Sequence, residues 1–127
     1  MLKITYIENG FYLEYLSESV ATWMARRALV YLRAAISIYT EPSTACIIIP
    51  HDLAISGLLE KLQADGEIIE LTFCDEGYVE VSLLGTWVSS NQDSEEGIFV
   101  CDLSDRAETF LYKLWQKSQT GASVMSE

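Results

Sequence analysis

Apolar residues follow two different periods along this chain. Period-two alternation in β-branched and aromatic stretches marks strands, because successive strand side chains point to opposite faces; recurrence every three to four residues marks one face of a helix. Residues 3–7 and 11–16, KITYI and FYLEYL, carry the strand pattern on either side of Glu8-Asn9-Gly10. They read as a β-hairpin whose Asn-Gly pair supplies the positive φ angles of a tight turn. From Ser19 the period changes: Val20, Trp23, Met24, Arg27, Ala28 and residues 30–32 fit a helix with a wide apolar stripe facing a sheet. Ser17 or Ser19 is placed to cap it. ISIYTEPSTACIIIP then reads as two strands broken at Glu41-Pro42-Ser43, the second apolar enough over residues 46–49 for a central position and ended by Pro50.

After Pro50, Asp52 is placed to cap a second helix, with Leu53, Leu58, Leu59 and Leu62 in one stripe and Gly66 where a left-handed C-terminal cap belongs. EIIELTFCDEGYVEVSLLGTWV reads as a second hairpin turning at Asp75-Glu76-Gly77, with Val79 and Val81 on one face, and GIFVCD as a further strand. Leu103, Ala107, Phe110, Leu111 and Leu114 have the spacing of a last helix, capped by Asp102 or Ser104. Beyond Lys117 no pattern persists. The order ββ, α, ββ, α, βββ, α lacks the regular alternation of a doubly wound sheet. The expected fold class is therefore α+β: a two-layer sandwich, mostly antiparallel or mixed sheet, with about three helices packed on it. Residues 1–118 are expected as a single α+β domain and residues 119–127 as a flexible C-terminal tail.

Composition adds charge to this picture. The 127 residues hold 19 Asp and Glu against 8 Lys and Arg, a formal charge of −11, yet half are apolar, so the charge sits on a folded body and not on a disordered acidic tail. Such a balance argues against nucleic acid or an anionic membrane surface as ligand and leaves cations and basic proteins. The opening MLKITYIENG has no basic-then-apolar leader, and no run approaches the ~20 apolar residues of a membrane span, so a cytoplasmic location is expected. Cys46, Cys74 and Cys101 lie far apart within apolar runs and read as buried thiols.

The charge is also uneven. Between Lys61 and Arg106 lie 44 residues with no Lys or Arg and 11 carboxylates, five of them within residues 89–105. Two like charges ~4 Å apart at a surface-like dielectric repel by a few kcal/mol, so convergent carboxylates call for a counterion. Calcium takes about six to eight oxygens with tolerant geometry, and loops rich in Asp, Asn, Glu and carbonyls supply them. With Asn91 as the first position of a calcium loop, Asp93, Glu95, Ile98 and Asp102 fall at the third, fifth, eighth and twelfth. The match to an EF-hand then fails: Glu96 stands where the glycine belongs, and a strand-like LLGTWVSS precedes the loop in place of a helix. What remains is an acidic hairpin loop holding Ca2+ through Asn91, Asp93, Glu95, Glu96 and Asp102, with Asp105 from the next helix and Asp75 and Glu76 from the other hairpin tip. The plainer alternative is a polar exposed loop in which Asp102 and Asp105 only cap a helix. Glu8, Glu14 and Glu18 around the first hairpin read as a solvated face before a second cation site.

Little else suggests chemistry. His51 is the single histidine, which excludes zinc held by several imidazoles, and no nucleophile with a base or acid pair of defined spacing stands out, so no enzyme is expected. Arg26 and Arg27 read as the rim of their helix.

In length, acidity and α+β layout, with carboxylate loops outside the EF-hand pattern, the chain resembles the small cyanobacterial calcium-binding proteins linked to heterocyst differentiation. The resemblance implies a compact α/β sandwich that binds calcium at more than one non-EF-hand site and buffers the free ion until the protein is degraded or down-regulated. It carries no ligand over residue by residue. A second class fits the same charge: an acidic interaction module, inhibitor-like or immunity-like, that steers a basic protein partner. Association that weakens with salt and ignores calcium would distinguish it.

Overall fold

The computed structural model describes residues 1–8, 10–50, 53–74, 77–91 and 96–125. In chain order they form β1 (Leu2–Ile7), β2 (Gly10–Tyr15), α1 (Val20–Arg33), β3 (Tyr39–Pro50), α2 (Leu53–Ala64), β4 (Glu70–Cys74), β5 (Tyr78–Ser89), β6 (Gly97–Cys101) and α3 (Asp105–Met125). The strands make a six-stranded antiparallel sheet in the order β2-β1-β6-β5-β3, with β4 also pairing β5: an α+β, sandwich-like fold. The chain divides into two compact units, Met1–Ser43 with Gly85–Leu103, and Thr44–Leu84 with Ser104–Glu127. No described helix is long and apolar enough to cross a membrane.

In the first unit Ile7 pairs with Gly10, which leaves two residues for the hairpin connection, and Gly10 has φ +148°, a conformation costly for any residue with a Cβ. Met1, Trp23, Val88, Ile98 and Val100 form a buried cluster, against which Leu16, Val20 and Met24 pack. The terminal ammonium donates to the carbonyls of Leu16 and Glu18 at 2.7 and 3.0 Å. Ser19 is the N-cap of α1, its hydroxyl accepting the Thr22 N–H. The apolar stripe expected along α1 is buried only at Trp23, while Val30 and Leu32 are 59% and 76% exposed. At the third turn the stripe position is Arg27, whose guanidinium lies 5.5 Å from the Trp23 ring centroid and 5.3 Å from that of Tyr31, a cation–π stack in place of an aliphatic contact. Where β5 and β6 meet, a Cβ on Gly97 would come within 2.8 Å of the Val88 carbonyl oxygen.

In the second unit buried apolar residues come from alternate positions of β3 (Ala45, Ile47, Ile49) and β5 (Val79, Val81, Leu83), with Leu59 of α2, Ile68, and Ala107, Leu111 and Leu114 of α3. The break expected at Pro42 is absent: β3 runs continuously from Tyr39 to Pro50. As the last strand in the order it has a free edge, where a residue without an N–H removes no ladder bond. Its burial alternates, as for a strand with one buried face, and not as for the central strand its apolar run suggests. Gly66, at φ +81°, closes α2, with the Gly66 N–H donating to Gln63 O and the Glu67 N–H to Leu62 O. Gly77, at φ +80°, precedes Tyr78, which pairs with Cys74 across the second hairpin. Ser104 caps α3 through its hydroxyl, 3.1 Å from the Ala107 N–H, and the helix continues beyond Lys117 to Met125. Asp52, the expected cap of α2, lies outside the described residues.

Candidate functional site

Of the eight expected calcium ligands, Asp75, Glu76, Asp93 and Glu95 lie outside the described residues. Asn91 and Glu96 are exposed and belong to one connection: β5 and β6 pair through Thr86, Trp87 and Val88 with Val100, Phe99 and Ile98, and residues 90–96 link the two strands. The buried Ser89 hydroxyl donates to the Asn91 carbonyl at 2.6 Å. Asp102 caps a helix, but α1 and not α3, its two carboxylate oxygens accepting the Val20 N–H at 3.2 and 3.0 Å. Asp105 opens α3 and, with Glu108, puts negative charge in its first turn, where the helix dipole favours it. Among the described residues no three His, Cys, Asp or Glu side chains gather where they could hold a metal ion. Around the first hairpin, Glu14 pairs with Lys3 at 3.4 Å and Glu18 with Arg26.

A different surface emerges from the register of the second unit. Val79, Val81 and Leu83 point into the core, so Tyr78, Glu80, Ser82 and Leu84 of β5 occupy the opposite face. Register places Cys74 opposite Tyr78, Thr72 opposite Glu80 and Glu70 opposite Ser82 on that face. On β3 the outward residues are Cys46 and Ile48, and Cys46 Sγ lies 3.3 Å from Ser82 Oγ. Ile48 and Leu84 are 52% and 58% exposed. None of these side chains is basic. The face thus presents two carboxylates, Glu70 and Glu80, among exposed apolar groups and two thiols. Cys46 and Cys74 are exposed, in place of the burial expected for all three cysteines; only Cys101 is buried. Apolar neighbours in sequence do not bury a thiol when it stands on the outward parity of its strand. The same parity is the available signal for this face, since the complement of Val79, Val81 and Leu83 in YVEVSLL is Tyr78, Glu80, Ser82 and Leu84.

Fold and surface together define a small acidic α+β protein with an open strand face. The chain belongs to the Alr0857-like family, whose model matches residues 1–119. The family is named after a gene of the cyanobacterium Anabaena. No curated protein matches the chain, and no solved structure does.

Proposed function

We propose that this chain is a cytoplasmic binding module without catalysis of its own, and that it docks a basic protein through the outward face of β3, β5 and β4. The observation that carries this is the placement of Glu70 and Glu80 beside Ile48, Leu84 and Tyr78 with no base among them. Exposed apolar side chains on one strand face favour a partner over water, and unopposed carboxylates select for Lys and Arg on it. The formal charge of −11 adds long-range steering, which speeds encounter and is screened by salt. The test is capture by the immobilised chain from lysate at roughly 50 and 500 mM salt, with and without chelator. Glu70→Gln/Glu80→Gln and Ile48→Ser/Leu84→Ser serve as comparison baits. A stoichiometric basic partner held at low salt, released at high salt, lost from both variants and indifferent to chelator supports the proposal. Equal capture by the variants contradicts it.

Calcium buffering or sensing is the second function with an observation in its favour: Asn91 and Glu96 both stand between β5 and β6, and the sequence between them carries Asp93 and Glu95. Such a loop would bind at micromolar affinity or weaker. Calcium would then raise apparent stability by mass action, about 2.7 kcal/mol at a hundred times Kd. Calorimetric silence at millimolar calcium would end it.

A further inference from the structure

The second unit also holds a groove that neither function uses. Its volume is about 600 Å³, and α2 and α3 supply most of its wall. Leu58, Leu62 and Phe110 give it an apolar floor, while Lys61, Arg106 and Lys113 line it as well. Helical spacing explains the grouping: Leu58, Lys61 and Leu62 share one face of α2, and Arg106, Phe110 and Lys113 one face of α3. Three of the chain's eight bases therefore meet at one groove of a protein with 19 acids.

None of the three makes an ion pair among the described residues, in contrast to Lys3 and Arg26, which pair with Glu14 and Glu18. Two acids do line the groove. Glu67 is directed onto Ser104, accepting its N–H at 2.6 Å and its hydroxyl at 3.0 Å, and Asp65 stands at the end of α2. Converging cations without partners repel one another, and an anion relieves that repulsion. The volume lies in the range of small-molecule sites, roughly 300–1,000 Å³.

We propose that this groove binds a small amphipathic organic anion, with a carboxylate or phosphate head at Lys61, Arg106 and Lys113 and an apolar body on Leu58, Leu62 and Phe110. The site is separate from the strand face and from the calcium loop, so it stands or falls independently of both. The test is calorimetric titration of the full chain with decanoate, decyl phosphate, 1-decanol and inorganic phosphate. At least one of the two decyl anions should bind, with 1-decanol and inorganic phosphate roughly tenfold weaker or more; the order of the two anions identifies the head group. Lys61→Gln and Arg106→Gln should each weaken binding by roughly threefold to tenfold, whereas Arg33→Gln, which removes the same charge from α1, should not. Salt dependence needs no variant: the Kd of the native chain for the anion should rise between roughly 50 and 500 mM salt. Silence with both anions at about 1 mM, equal binding of 1-decanol, or a Kd unmoved by salt overturns the proposal.

Discussion

Asp102 and Val20 are 82 positions apart in sequence, yet both carboxylate oxygens of Asp102 accept the Val20 backbone N–H, at 3.2 and 3.0 Å. The residue follows the last position of β6, so the strand delivers a carboxylate to the amino-terminal turn of α1, where unsatisfied N–H groups and the helix dipole both favour negative charge. Ser19 satisfies a different donor, the Thr22 N–H. Replacing Asp102 by Ala should therefore destabilise the protein by about 1 kcal/mol in denaturant titration, and Asn, which keeps an acceptor, by less. Unchanged stability of Asp102→Ala would show that the contact contributes nothing.

Ala35 ends α1 with φ 54°, its N–H donating to Leu32 O at 3.2 Å while Ile36 donates to Tyr31 O at 2.9 Å. This closing pattern is the one Gly66 makes for α2, but with a Cβ in the left-handed region. Ala35→Gly should stabilise by about 0.5–1 kcal/mol, read as a rise in the denaturant midpoint at constant slope. A fall in midpoint would contradict the assigned backbone conformation.

Accessibility separates the three thiols. Cys46 and Cys74 are exposed and Cys101 is buried. An aromatic disulfide reagent should titrate two equivalents rapidly in the native protein and the third only on unfolding. One fast equivalent, or three, would contradict the strand parity that defines the open face.

Glu67 connects the end of α2 to the start of α3 through Ser104. A double-mutant cycle with Glu67→Gln and Ser104→Ala should give a coupling of roughly 0.5–1.5 kcal/mol, since the partners are in direct contact. Additive effects would mean the contact is not held in solution.

Local chemistry was readable in the sequence where it is self-contained. The two hairpins, the Ser19 cap, the Gly66 and Gly77 turns and the stripe of α3 each depend on residues within one turn or two of each other. Features that depend on distant parts of the chain were not readable. Pro42 sits inside a strand because β3 ends the sheet order, which no local pattern reveals. Asp102 caps α1 instead of α3 because the sheet brings it there from 82 positions away. The α1 stripe reads as buried from its apolar spacing, but spacing does not say whether a neighbour covers it: Trp23 is buried, while Val30 and Leu32 are exposed. For the candidate site, composition marks the acidic loop, whereas the open face follows from register, in which residues from β3, β4 and β5 meet.

The most direct measurement of the central claim is partner capture by the native chain set beside capture by Glu70→Gln/Glu80→Gln under low salt with chelator present. Docking of a basic protein by the open face predicts a stoichiometric partner on the native bait and its loss from the variant. Retention of the same partner on the variant, or a partner that appears only when calcium is supplied, would contradict it.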